Sequence, residues 1–138
     1  MKTKAIHNIK AAEALIDKAE EGYYTASIHH VYYAVFQYMK YELAHTDVEP
    51  LSYEEQTVKA KEHRMGSHDF IIKEIKRRIS RLADPDTAQD FTQYVRELKG
   101  DRIDADYRSR QFTLEESLAC KRLAEDLITK LKTYFGDL

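Results

Sequence analysis

The chain has 138 residues, 43% of them hydrophobic and 33% charged, with a formal net charge of −2. That amounts to one domain, residues 1–138, with enough apolar material for a core, which excludes a disordered chain. The near-neutral balance gives the whole molecule no pull towards nucleic acid or an anionic membrane, so any such attraction must come from a local patch.

Residues 4–20 set Ile6, Ile9, Ala12, Leu15, Ile16 and Ala19 three and four apart, one apolar stripe on a charged helix. This N-terminal segment carries acids early and lacks the apolar core of about 7–15 residues that marks a signal peptide. Gly22 interrupts the stripe. Residues 23–45, YYTASIHHVYYAVFQYMKYELAH, follow as a helix almost free of charge before Lys40. Small residues and aromatics surround it, as in a central helix packed on several neighbours.

Residues 46–58 hold Pro50 and, as formal charges, only Asp47, Glu49, Glu54 and Glu55, the pattern of a long mobile loop. Residues 59–82 are the opposite, with eight basic residues against three acidic ones. Ser67 is placed as an N-cap there, and Ile72, Ile75, Ile79 and Leu82 form an apolar seam, so this is a basic amphipathic helix. DPDT at 84–87 is a turn and helix start leading into Phe91, Tyr94, Val95 and Leu98, and Gly100 ends the run. Thr113 and Glu116 make a capping box for a last helix marked by Leu118, Leu123, Leu127, Leu131 and Tyr134. Five helical segments, few turn residues and no alternating strand pattern predict an all-α, antiparallel up-and-down bundle.

Few residues stand out for chemistry. The single Cys120 has no internal disulfide partner, which fits a reducing cytoplasm, and it has the setting of a structural thiol. Glu42-Leu-Ala-His45 is a lone Glu-x-x-His at a helix end, and His63 and His68 diverge around a helix, so no metal is expected. The glycines fit no phosphate loop, so no cofactor is expected, and no apolar run approaches the ~18 residues of a membrane span. His29 and His30 diverge, one to pack against the tyrosines and the other to reach a rim partner. The tyrosine-rich second helix suits core packing and a dimer face, or base stacking.

The densest charge lies in GDRIDADYRSR, residues 100–110. If helical, it forms the i,i+4 pairs Arg102–Asp106, Asp104–Arg108 and Asp106–Arg110, each contributing about 0.2–0.5 kcal/mol. Gly100 favours a break instead, which would turn the segment into a loop with Arg102 and Tyr107 directed inward.

A series then emerges. A small-and-aromatic helix (ASIHHVYYAVFQYM) is followed by a His-led basic helix (HRMGSHDFIIKEI), by R-I-D-A-D-Y at Arg102–Tyr107, and by a capped final helix (FTLEESLACKRLAEDLITKL). Over roughly residues 5–135 this order resembles the HEPN superfamily. The resemblance implies a bundle of four to five helices, often a homodimer, associated with RNA or nucleotides. It also implies pairing with a nucleotidyltransferase, or a place among the ribonuclease toxins of toxin–antitoxin and defence systems. Its ribonuclease members carry Arg-x4–6-His, in which the Arg holds the scissile phosphate and the His moves protons.

Here the four residues after Arg102 lead to Tyr107, and no His follows His68. An unperturbed Tyr titrates near ~10 and is a poor acid–base group at neutral pH. The expectation is therefore a module that binds nucleotide or RNA phosphates, or docks a partner, without cutting. Arg102, Asp106, Tyr107 and Arg108 are its binding residues, with Arg77 and Arg78 from the basic helix. The alternatives are a metal-independent ribonuclease using Arg102, Tyr107 and His68, and a purely structural dimer module.

Overall fold

The computed structural model describes residues 1–138 and contains six helices and no strand. They are α1 (Lys2–Asp17), α2 (Glu21–His45), α3 (Tyr53–Glu62), α4 (Ser67–Leu82), α5 (Pro85–Tyr107) and α6 (Leu114–Phe135). The all-α bundle stands as expected, with one more helix than the four to five anticipated.

α2 is its axis. It packs against α1, α4, α5 and α6, and Ile28, Val31, Tyr32, Ala34, Val35, Met39 and Leu43 are wholly inaccessible to solvent. Burial on most sides follows from its nearly uncharged circumference, since apolar surface left wet would cost about 25 cal/mol for each Å² exposed. A stripe through Ala26, His29, Tyr33 and Gln37 stays partly open. Around it, α4 contributes Ile72, Ile75 and Ile79, α5 contributes Phe91, Val95 and Leu98, and α6 contributes Leu127 and Leu131.

Several boundaries differ from the sequence expectation, each for a local reason. The predicted loop 46–58 ends at Ser52, where a capping box begins α3: Ser52 Oγ accepts from the Glu55 amide and Glu55 Oε1 accepts from the Ser52 amide. Glu54 and Glu55 occupy the first turn, where the positive end of the helix dipole favours acids, so the acidic run is a helix start. The basic helix 59–82 is two helices, separated by a turn in which Arg64 takes φ 55° and Gly66 is the N-cap of α4. Ser67, expected as that cap, is the first helical residue and makes no capping bond. In α1 the buried positions are Ala5, Ala12 and Ile16, while Ile6 is exposed, and Ala19 lies beyond the helix end with φ 55°. Gly22 sits in the first turn of α2, so the break falls at 18–20. Leu82 and Tyr94 are exposed rather than in their seams.

Gly100 does not break the chain: α5 runs through it for 23 residues. A Cβ added there would meet nothing within 4 Å. Gly100→Ala is therefore expected to raise stability by about 0.5–1 kcal/mol in chemical denaturation, since it removes only unfolded-state freedom. A loss of stability would contradict the helical assignment.

The segment before α3 is clasped to α4 by Arg78. Its Nη1 and Nη2 donate to the carbonyls of Val48 and Glu49, 2.7 Å each, and its Nε donates to Glu74 at 2.9 Å. Gln56 of α3 donates to the carbonyls of Lys40 and Leu51, fixing α3 to the end of α2.

Two buried groups in α2 stay without a partner, the hydroxyl of Tyr38 and the carboxyl of Glu42. Glu42 is 0% exposed, and neither of its carboxylate oxygens is hydrogen-bonded. Burial raises its pKa from 4.5 to about 7, opposed by Lys2 and Lys132 and reinforced by Asp137. The folded chain therefore keeps a proton that the unfolded chain has released, so this residue makes stability fall as pH rises from 4.5 through about 7. Glu42→Gln is expected to be nearly neutral below that window and stabilising above it. A wild-type-minus-variant difference that is flat with pH in denaturant titrations would overturn this reading.

Candidate functional site

His29, Tyr32, Tyr33 and Phe36 lie at i, i+3, i+4 and i+7 on α2, which aligns them along one face. That face meets the first turn of α4, carrying His68, and the last two turns of α5, carrying Arg102 and Asp106. Because Gly100 leaves α5 intact, Arg102 is held by a regular helix rather than a loop. Its side chain is 9% exposed, and its guanidinium lies over the rings of Tyr32 at 5.2 Å, Tyr33 at 5.5 Å and Tyr107 at 5.9 Å.

Arg102 is surrounded but unbonded. Its Nη1 comes no closer than 3.6 Å to Asp106 Oδ2, longer than a hydrogen bond, and its buried Nε has no acceptor in the fold. Asp106 is held instead by His29, whose Nδ1 donates to Oδ2 at 2.8 Å. That bond fixes the His29 tautomer and leaves Nε2 without a partner inside the chain. The His29 side chain is 42% exposed, so this nitrogen belongs to a wet rim.

His68 is set differently. Tyr32 donates its hydroxyl to His68 Nδ1 at 2.7 Å, and the imidazole stacks on Phe36 at 4.0 Å with the planes 3° apart. Burial lowers its pKa to about 4, with Arg102 and Lys99 adding to the shift. Burial likewise pushes the Tyr32 hydroxyl up, against the pull of Arg102. At neutral pH both are uncharged, joined by one hydrogen bond, and form a wall behind Arg102.

The candidates named from sequence thus divide. Arg102, Asp106, Tyr107 and His68 come together, His68 through Tyr32. Tyr107 is not directed inward: it is 74% exposed at the rim. Arg108 is the exposed C-cap of α5. Arg77 and Arg78 lie elsewhere, beside the 46–52 segment; Arg77 bonds Glu74, and Arg78 is nearly buried within its clasp.

Of the three i,i+4 pairs, only Arg102 and Asp106 approach one another. Arg110 leaves the helix and ties α5 to α6, bonding Asp101 at 3.1 Å, Asp104 at 3.1 Å and Glu116 at 2.8 Å, with its guanidinium 4.1 Å from the Phe112 ring centre.

His29 is the residue that linear reading does not assign to this site. It was expected either to pack on the tyrosines or to reach a rim partner, and it does both, packing on Tyr33 with ring centres 4.6 Å apart and planes tilted by 38°. A signal was present: His29 shares a helical face with Tyr32, Tyr33 and Phe36. The other histidine of the pair, His30, donates to Asn8 of α1 at 2.7 Å.

No group of three or more His, Cys, Asp and Glu side chains comes together as a metal site. His45 of the Glu-x-x-His match bonds the carbonyl of Tyr41 at the surface. Cys120 is buried, its thiol pushed up to about 12 by burial and by Asp101, which accepts its weak hydrogen bond. No helix is long and apolar enough to cross a membrane.

No curated protein and no solved structure matches the chain. The family model described as HEPN domain matches residues 1–134. With nearly the whole length covered, and with the all-helical bundle that the resemblance implied, the chain belongs to the HEPN domain family.

Proposed function

We propose that this HEPN-domain chain binds the phosphates of RNA or of a nucleotide, with Arg102 as the contact. One observation carries the reading: a nearly buried guanidinium that makes no side-chain hydrogen bond within its own chain. A buried Arg normally satisfies its donors with carboxylates or carbonyls, because an unpaired buried donor costs about 1–3 kcal/mol. Arg78, also buried, follows that rule here. Arg102 is instead positioned by three tyrosine rings and kept near one shared carboxylate, which leaves its planar fork for a bidentate oxyanion. Tyr33 and Tyr107 beside it offer aromatic surface on which a base can stack, and Arg108 adds an exposed charge.

The test is fluorescence anisotropy of a labelled single-stranded RNA and of a labelled nucleotide across a salt series. Wild-type protein is expected to bind at low salt, with affinity falling as salt rises. Arg102→Ala is expected to weaken binding at least ~10-fold, and Arg102→Lys is expected not to restore it, since a point charge lacks the fork. Arg102→Ala is also expected to lower stability by about 1–2 kcal/mol through lost ring contacts, so binding is measured where the variant is folded. Equal binding by wild type and Arg102→Ala ends the proposal.

The His29–Asp106 bond supports a second reading, metal-independent ribonuclease activity. An imidazole oriented by a carboxylate, with its second nitrogen free and an arginine alongside, has the parts of an acid–base group beside a phosphate clamp. On this reading His29, supplied by α2, does what Tyr107 cannot. The expected result is cleavage of single-stranded RNA in EDTA, abolished by either His29→Ala or Arg102→Ala. Intact RNA across varied sequences, with folded protein, leaves binding alone.

A further inference from the structure

A broad concavity lies away from Arg102. It is a cleft of about 840 Å³ between the 46–52 segment, α3, the 63–66 turn and α4. That volume lies within the roughly 300–1,000 Å³ of small-molecule sites. Its walls are fixed at both ends. The Arg78 clasp holds the backbone of Val48 and Glu49, and the Met65 amide donates to the Ala60 carbonyl at 2.9 Å. Two of the three non-glycine residues with positive φ flank it, Glu49 at 49° and Arg64 at 55°. Each such residue costs about 1–2 kcal/mol and persists because the surrounding bonds over-determine it.

The charges in the cleft are unevenly satisfied. Its three acids are all engaged: Glu74 by Arg77 and Arg78, Glu49 by Arg77 and Arg81 at 3.5 Å each, and Glu55 by the capping box of α3. Among its cations, Lys59 and Lys73 are exposed and have no acidic partner, and Lys76 bonds only the neutral Gln89 at 2.6 Å. The cleft therefore faces solvent with uncompensated positive charge from two helices. On one side the exposed His63 ring lies over the buried Phe70 ring, centroids 5.9 Å apart and planes 27° apart. Leu51 and Met65 line the same cavity.

We propose that this cleft is a second binding site, for a small organic anion that combines a planar ring with a phosphate or carboxylate. The ring lies against the His63–Phe70 wall, and the anionic group sits between Lys59 and Lys73. Concavity and unpaired cations together exclude a merely solvated charged face: exposed lysines on a convex surface would hold no ring. The proposal is independent of Arg102, which lies on the α2–α5 side of the bundle.

The test is amide NMR titration of the full chain with four probes: adenosine monophosphate, 2-naphthoate, adenosine and inorganic phosphate. At least one ring-bearing anion is expected to shift the amides of Lys59, His63, Phe70 and Lys73, while adenosine and inorganic phosphate do not at equal concentration. Response to adenosine monophosphate alone identifies a phosphorylated ligand, and response to naphthoate alone a carboxylated one. The double variant Lys59→Glu, Lys73→Glu changes two exposed side chains that have no acidic partners. It is expected to weaken this binding at least ~10-fold, with Arg102→Ala leaving it unchanged. The proposal is overturned if neither ring-bearing anion shifts these amides, if bare phosphate shifts them equally, or if Arg102→Ala removes the response while the double lysine variant keeps it.

Discussion

Everything in this fold answers to the need to cover α2. A 25-residue helix with almost no charge before Lys40 can leave little of its surface in water, so four other helices pack around it. The same demand sets the terms for its polar side chains. Thr25 accepts from the Phe112 amide at 2.9 Å, tying the α5–α6 connection to the bundle axis. Ser27 bonds the carbonyl of Tyr24, Tyr32 bonds His68, and His30 bonds Asn8. Only lower on the helix does the accounting fail, at the hydroxyl of Tyr38 and the carboxyl of Glu42, which are buried without partners. There the protein answers by proton uptake, since a neutral carboxyl costs far less to bury than a carboxylate.

Arg102 and Arg110, on either side of the end of α5, show how nine residues of sequence divide into two tasks. Arg110 lies outside the helix, where its fork reaches acids from α5 and α6 at once. The bond to Glu116 is foremost in raising its pKa. It is the tie between helices. Arg102 lies within the helix, on the buried side, where the nearest carboxylate is already taken by a histidine. The competition for Asp106 decides the matter: a 2.8 Å bond to His29 leaves only a 3.6 Å approach for Arg102. A stretch that looks like one knot of charge is a brace at its outer end and an arginine without a hydrogen-bond partner at its inner end.

How much of this could be read from the chain depended on the range of the interactions involved. The seams of α4, α5 and α6 and the Thr113–Glu116 capping box were legible because i,i+3 and i,i+4 neighbours are all they require. α3 was written just as locally, in Ser52 and Glu55, but Pro50 and a run of acids masked it as loop. Gly100 misled in the other direction. A glycine with open space around it is tolerated in a long helix, because packing of Val95, Leu98 and Arg102 outweighs a propensity cost of about 1 kcal/mol. The helical face that His29 shares with Tyr32, Tyr33 and Phe36 was legible, but its bond to Asp106 was not, since 77 residues separate them and no spacing rule spans that gap.

The setting of the histidines bears on which chemistry the Arg102 site can support. His68 is next to Arg102 through Tyr32, yet stacking, burial and the nearby cations keep it neutral, and its Nδ1 is already occupied. A group locked in that way shapes the site without exchanging protons. His29 differs on each count, being half-exposed, bonded through one nitrogen to a carboxylate, and free at the other. In the ribonuclease pattern the acid–base residue travels with the arginine on the same stretch of chain. Here the clamp is on α5 and the imidazole on α2, so their spacing is set by packing between two helices. The rings of Tyr32 and Tyr33, which lie under Arg102 and beside His29, hold that spacing, and through them the demand to cover α2 reaches the site itself.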